Sequence, residues 1–379
     1  MKIACSPSSL KDGLAIAGRA VNTRATLPVL GNIHLATDGD NRIALSATDL
    51  EIGIRTWFTP GFFGEPGAIT VPARTFTDLV STLPNEQLTL ALNDNATLHL
   101  SCGRTQANVK GIPAQEFVGI PDYEELLRQQ SLPAINIEPH DLEQALTRTT
   151  FSAATDDSRP ILTAVYVHSD DGHLAFASAD GFRLSVQRAG ILANDLPDLL
   201  IPRKAAAEAA RLVAGESEPV RIVVNDTTTQ VAFLFSNAHL VTQLIDGRFP
   251  DYNAIIPTTH AVKAAISMAD LRRALKATII FARDNVFIST WKIEDGKLTI
   301  SGVSAESGDQ TSELQADVEG EIPFEINLNA KYVTELLQAL GSQTARVVLE
   351  CTTPSSPVLI RDLDDDAYTH VIMPMHSGR

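Results

Sequence analysis

The chain has 379 residues, more than one ordinary core accommodates, so two or three domains are expected. Its composition, 44% hydrophobic and 20% charged, is that of a globular protein; no stretch reaches the roughly 18 consecutive apolar residues of a membrane span, and the opening MKIACSPSSL has no apolar signal core, so a cytoplasmic location is expected. A formal net charge of −16 ordinarily argues against a nucleic-acid partner, but a total does not report where charges lie, and an acidic protein can carry one basic face.

The first predicted elements are a short alternating strand and a helix in IACSPSSLKDGLAIA (3–17), with Leu10 and Leu14 four apart. Alternating strands follow in NIHLAT, RIALSAT, EIGIRTWF, QLTLAL, ATLHLS and QANVKGI, broken by DGDN and NDN, the pattern of antiparallel hairpins with one buried face. Between them TVPARTFTDLV (70–80) reads as a strand end, a proline at the first helical position and an amphipathic helix, with Arg74 in its opening turn. A cation there opposes the positive end of the helix dipole. The segment DYEELLRQQSLPA (122–134) reads as a linker.

The same order then returns. INIEPHDLEQALTRT (135–149) repeats the first strand and helix with Leu142 and Leu146, and AISMADLRRALKAT (265–278) repeats them with Leu271 and Leu275, at intervals of about 130 residues. Asp49 in ALSATDLEI matches Asp180 in AFASADGFRL; LALNDNATLHL matches IVVNDTTTQVAFLF; Phe117 matches Phe249. The cation at a helix start returns as Lys204 in LIPRKAAAEAARL and Lys331 in INLNAKYVTELLQAL. In the third copy VVLECTTPSSPVLI falls where the late hairpin belongs, and IIPTTHAVK (255–263) is a second linker. The prediction is an α+β protein of three similar domains, 1–125, 126–256 and 257–379, each with two helices on antiparallel sheets.

Enzyme motifs are lacking. The nine histidines form no HxxxH, HExxH or HxH pair, and no GxSxG, Walker A or GxGxxG sequence occurs. Cys5, Cys102 and Cys351 have no CxxC spacing and read as buried thiols; Asp364, Asp365 and Asp366 lack calcium-loop spacing and read as a solvated loop. No cofactor and no metal is expected.

Seven segments, RATLPVLGNIHL, TVPARTF, SRPILTAV, ADGFRLSV, IPRK, DGRFPDY and the near-terminal VIMPM, occur in an order that resembles the bacterial DNA polymerase III beta subunit family, the replicative sliding clamps, over nearly the whole chain. The resemblance implies a head-to-tail homodimeric ring of six like domains on duplex DNA, without catalytic activity, tethering the replicative polymerase, clamp loader and repair proteins through short linear peptides. It implies DNA contacts at Arg24 and Arg74; recurrence at equivalent positions adds Lys204 and Lys331, and the first helices add Lys11, Arg19, Arg148, Arg272, Arg273 and Lys276. Asp156 and Pro160 stand where some members have polar and aromatic contact residues. The implied partner-peptide groove is lined by Leu162, Ala179, Gly181, Phe182, Arg183, Leu184, Pro250, Ile255, Val371, Ile372, Met373, Pro374 and Met375, with His376 to Arg379 extending past it. The implied subunit contact is Ile279 and Ile280 against Val109; an ordinary core role for both isoleucines is the open alternative.

Helix dimensions support two copies. Six helices about 10 Å across close a circle with only about 10 Å clear, whereas twelve leave near 28 Å, enough for a duplex of roughly 20 Å. The rival reading is a binding module of repeated β-rich domains with no DNA role.

Overall fold

The computed structural model describes residues 1–375 except 23, 25, 94, 194 and 195. The seven α-helices among the described residues are α1 (Pro7–Ala17), α2 (Ala73–Ser81), α3 (Tyr123–Gln129), α4 (Pro139–Thr150), α5 (Arg203–Val213), α6 (Met268–Ala282) and α7 (Ala330–Leu340). The chain forms two compact units, one of Met1–Leu142 with Glu208–Leu244 and one of Glu143–Ala207 with Ile245–Arg379.

The first unit holds a five-stranded and a nine-stranded sheet, the second a twelve-stranded sheet, with antiparallel pairing throughout the described residues. In the first unit α1 buries Leu10, Leu14 and Ala17, and Gly13 lets it settle against Leu45 and Phe58. In the second unit α6 and α7 share one core with the sheet, in which Trp291, Leu271, Leu336 and Ile372 are almost wholly buried. Ser6 and Ser267 cap α1 and α6 by accepting from the amides of Ser9 and Asp270, supplying a partner to an otherwise orphaned helix-start donor.

The internal repetition is visible in hydrogen-bond detail. Asp49 Oδ1 accepts from the amides of Glu51 and Ile52, and Asp180 Oδ1 accepts from those of Phe182 and Arg183, so both aspartates close the same hairpin turn. Asn93 Oδ1 accepts from Thr97 N, as Asn225 Oδ1 does from Thr229 N. Phe117 stacks on His34 with ring centroids 4.8 Å apart, and Phe249 on Tyr166 at 5.0 Å.

Successive repeats join by strand pairing. Ile52–Phe58 pairs with Ala238–Gln243, placing Gly53 opposite Val241; Arg183–Leu192 pairs with Tyr368–Ile372, placing Leu184 opposite Val371. Several strands keep an open edge among the described residues, and two of these edges lie in the first and third repeats. Thr105–Lys110 pairs on one side only, and Gly308–Gly320 pairs with Lys297–Ser304 along 308–315 but meets Val262–Ile266 only along 316–320.

Two expectations change. Residues 122–134 are not a plain linker: Asp122 caps α3 by accepting from the amides of Glu124 and Glu125, and Tyr123 is 1% exposed. Pro72 is the last strand residue and caps α2 rather than occupying its first turn.

Candidate functional site

Arg74, Lys204 and Lys331 are each the second residue of the helix that follows a strand end, in α2, α5 and α7 respectively. Arg74 is 91% exposed, with Asp78 at 3.9 Å. Lys331 is half-exposed, 3.9 Å from Glu335 and 5.7 Å from the Phe287 ring centroid. Lys204 is exposed. Each ammonium or guanidinium stands where the helix dipole disfavours it by a few tenths of a kcal/mol, a placement that a facing polyanion would offset. Arg24, Arg273 and Lys276 are also exposed, Arg273 beside Asp270 at 2.9 Å. On α1, Lys11 is half-buried, while the exposed Arg19, in the 3-10 turn Gly18–Ala20 that follows α1, reaches Glu208 at 3.4 Å.

Two arginines expected on this surface have other work. The Arg148 side chain is 8% exposed; it pairs with Asp365, donates to Gln187 at 2.9 Å and lies over the Tyr368 ring. Arg272 donates to the carbonyls of Leu337 and Gly341, satisfying the C-terminal end of α7. The Arg148 guanidinium is thus buried among its own partners, and one nitrogen of Arg272 is taken by its carbonyls. Asp365 and Asp366, expected in a solvated loop, are the partners of Arg148 and Arg361.

The expected groove residues divide between two faces of one sheet. Leu162, Leu184 and Val371 are buried in a common apolar cluster, with Ala179 packed against it. Pro250, Ile255 and Met373, all exposed, lie one or two residues from its members Phe249, Ile256 and Val371. Gly181 has φ +92, and a Cβ there would come within 2.9 Å of Arg159, so the turn requires glycine. The strand ladder runs one step beyond Ile372, Met373 N–H donating to Phe182 O at 2.8 Å, and Met375 N–H then donates to Asn327 O.

Arg183 and Ile372 face the other way, because strand side chains alternate and these two are cross-strand partners. Ile372 belongs to the α6/α7 core. Arg183 donates to Asp180, Glu335 and the Phe151 carbonyl, and its guanidinium lies 4.5 Å from the Tyr332 ring centroid. It borders a polar cavity of about 480 Å³ with Phe151, Phe182, Lys331 and Tyr332. The alternation that sends Leu184 inward was the signal that separates them.

Behind this strand lies a buried polar network. Ser185 Oγ bonds Ser152 Oγ and His370 Nδ1, and burial, with Arg183 nearby, pushes the His370 imidazole down to about 3. Burial pushes the Cys5 and Cys351 thiols up to about 12, so neither is a nucleophile at neutral pH.

Of the expected subunit contacts, Ile280 is 63% exposed, but Ile279 packs on its own core and Val109 is 6% exposed within its own unit. Residues 376–379 lie outside the described residues.

Repeated α+β units with cations at their helix starts are the build of a DNA clamp, a protein that holds a polymerase on its template. Comparison with known proteins gives the family: the N-terminal, central and C-terminal domains of the DNA polymerase III beta subunit match residues 1–121, 136–251 and 253–376. The beta sliding clamp of Synechococcus elongatus is 30% identical over 382 residues, covering 99% of each chain, and that of Caulobacter vibrioides is 30% identical over 386 residues, covering 99% of this chain and all of its own. The Pseudomonas aeruginosa clamp bound to griselimycin superposes with a TM-score of 0.90 at 26% identity, each chain covered in full. The chain belongs to the DNA polymerase III beta subunit family, the beta sliding clamps. Its function is the family's, a non-catalytic processivity factor in DNA replication, with DNA and polymerase as partners.

Proposed function

We propose that two copies of this chain close head to tail around duplex DNA. The observation that carries this is the pair of open edges. Within the chain, repeats meet by pairing one strand of each, twice over; Thr105–Lys110 in the first repeat and 308–315 in the third offer open edges for a third such junction. A second copy supplies both missing neighbours by a two-fold operation, and Ile280 flanks the seam. The domain limits 1–125, 126–256 and 257–379 belong to this reading.

Arg24, Arg74, Lys204, Lys331, Arg273 and Lys276 are the proposed phosphate contacts. Such contacts position without reading sequence, and few of them permit sliding. The clamp loader, replicative polymerase and repair proteins would dock short linear peptides over Leu162, Ala179, Gly181, Leu184 and Val371, against Phe182, Pro250, Ile255, Met373, Pro374 and Met375. Griselimycin, the ligand of the P. aeruginosa relative, is the probe for that groove. The three free, buried cysteines suit a reducing cytoplasm.

Retention is then topological. Chain loaded on circular DNA is released when the circle is cut, and persistence on linear DNA with free ends refutes the ring.

A further inference from the structure

A second cavity, of about 190 Å³, lies in the first unit and is lined by Thr48, Leu50, Val118, Ile120 and Gln243 among others. Strand register identifies the place. Thr48 pairs with Gly53 as Ala179 does with Leu184, and across the junction Gly53 faces Val241 as Leu184 faces Val371. Gln243 follows Val241 by two, as Met373 follows Val371; Val118 follows the stacked Phe117, as Pro250 follows the stacked Phe249. The cavity therefore sits at the first-repeat counterpart of the groove.

Its floor differs in one respect. Gly53 has no side chain, and Ile120 occupies the space instead: a Cβ on Gly53 would meet three Ile120 side-chain carbons at 2.9 to 3.1 Å. The α3 segment holds Ile120 there. Asp122 takes the Arg55 guanidinium at 2.8 Å, Tyr123 donates its hydroxyl to Gln230 at 3.2 Å, and Leu126 and Leu127 pack with Ile120 on the cluster of Leu132, Val223 and Val241. After Phe249 no α-helix begins before Met268, and Tyr252, the counterpart of Ile120, bonds His168 Nε2 at 2.8 Å.

We propose that Ile120, backed by α3, is a built-in occupant of this first groove and restricts each chain to one peptide site. The remaining cavity is smaller than the roughly 300 Å³ at which ligand pockets begin. The inference rests on the groove reading above, and the experiment separates the two. The full chain is titrated calorimetrically with griselimycin, folding being verified by circular dichroism. Wild type is expected to take one equivalent per chain. Ile120→Ala with Gly53→Leu, which moves the aliphatic group from occupant to floor, is expected to take two, and adding Leu184→Asp removes one of them. Ile120→Ala alone reads the same gain should the double variant not fold. A wild type taking two equivalents, or folded variants gaining none, overturns the inference; a wild type taking none while the variants take one overturns the groove reading and leaves the inference standing.

Discussion

Acid should loosen the strand that carries Val371, by an amount set by its neighbour His370. The imidazole is wholly buried between the Phe151 and Tyr368 rings, Nδ1 on Ser185 Oγ at 2.8 Å and Nε2 without a partner, and burial holds it down to about 3. Arg183, on the facing strand, opposes a second positive charge there. In the unfolded chain a histidine titrates near 6.5, so below about pH 6.5 the unfolded state binds a proton that the folded state refuses. Stability is therefore whole above the unfolded value and falls as pH drops toward the folded one. Between pH 7 and pH 5 the loss is roughly 2 kcal/mol, approaching about 1.4 kcal/mol for each further unit until near pH 3. Urea unfolding of wild type and His370→Gln at both pH values isolates the contribution, since every other titrating group is common to the two. Equal acid losses in the two proteins would refute the assignment.

Arg148→Ala should destabilise by about 3 kcal/mol, because it strands a partly buried carboxylate, while leaving the salt dependence of DNA binding unchanged; Arg74→Ala should do the reverse, lowering that slope by about 1 with little loss of melting temperature. Met373→Ala with Met375→Ala should weaken griselimycin while sedimentation still finds a dimer; unchanged affinity would misplace the groove. Ile280→Asp should shift the dimer toward monomer in sedimentation, and a fully dimeric variant would move the seam elsewhere.

The repeat architecture was legible because its signals are local: the aspartates at 49 and 180 and the asparagines at 93 and 225 fix turns through their own neighbours. Cations at the second residue of α2, α5 and α7 were legible for the same reason. What sequence left open depends on distant partners. Arg148 differs from Arg74 through Asp365, 217 residues away, and nothing on its own helix announces that pairing. The α3 helix, two turns long, is below the length at which periodicity speaks; the Asp122 cap and the docking of Tyr123 and Ile120 order it. Arg183 is the instructive case, since alternation along its strand already implied that it and Leu184 part company.

Glu335 receives Arg183, which backs the groove floor, and lies 3.9 Å from Lys331 on the opening turn of α7. One carboxylate is thus shared between an arginine on a sheet strand and the cation at the second residue of a helix. Removing either cation would leave the carboxylate wholly to the other, so the charge that Lys331 presents at the start of α7 depends on where the Arg183 guanidinium rests.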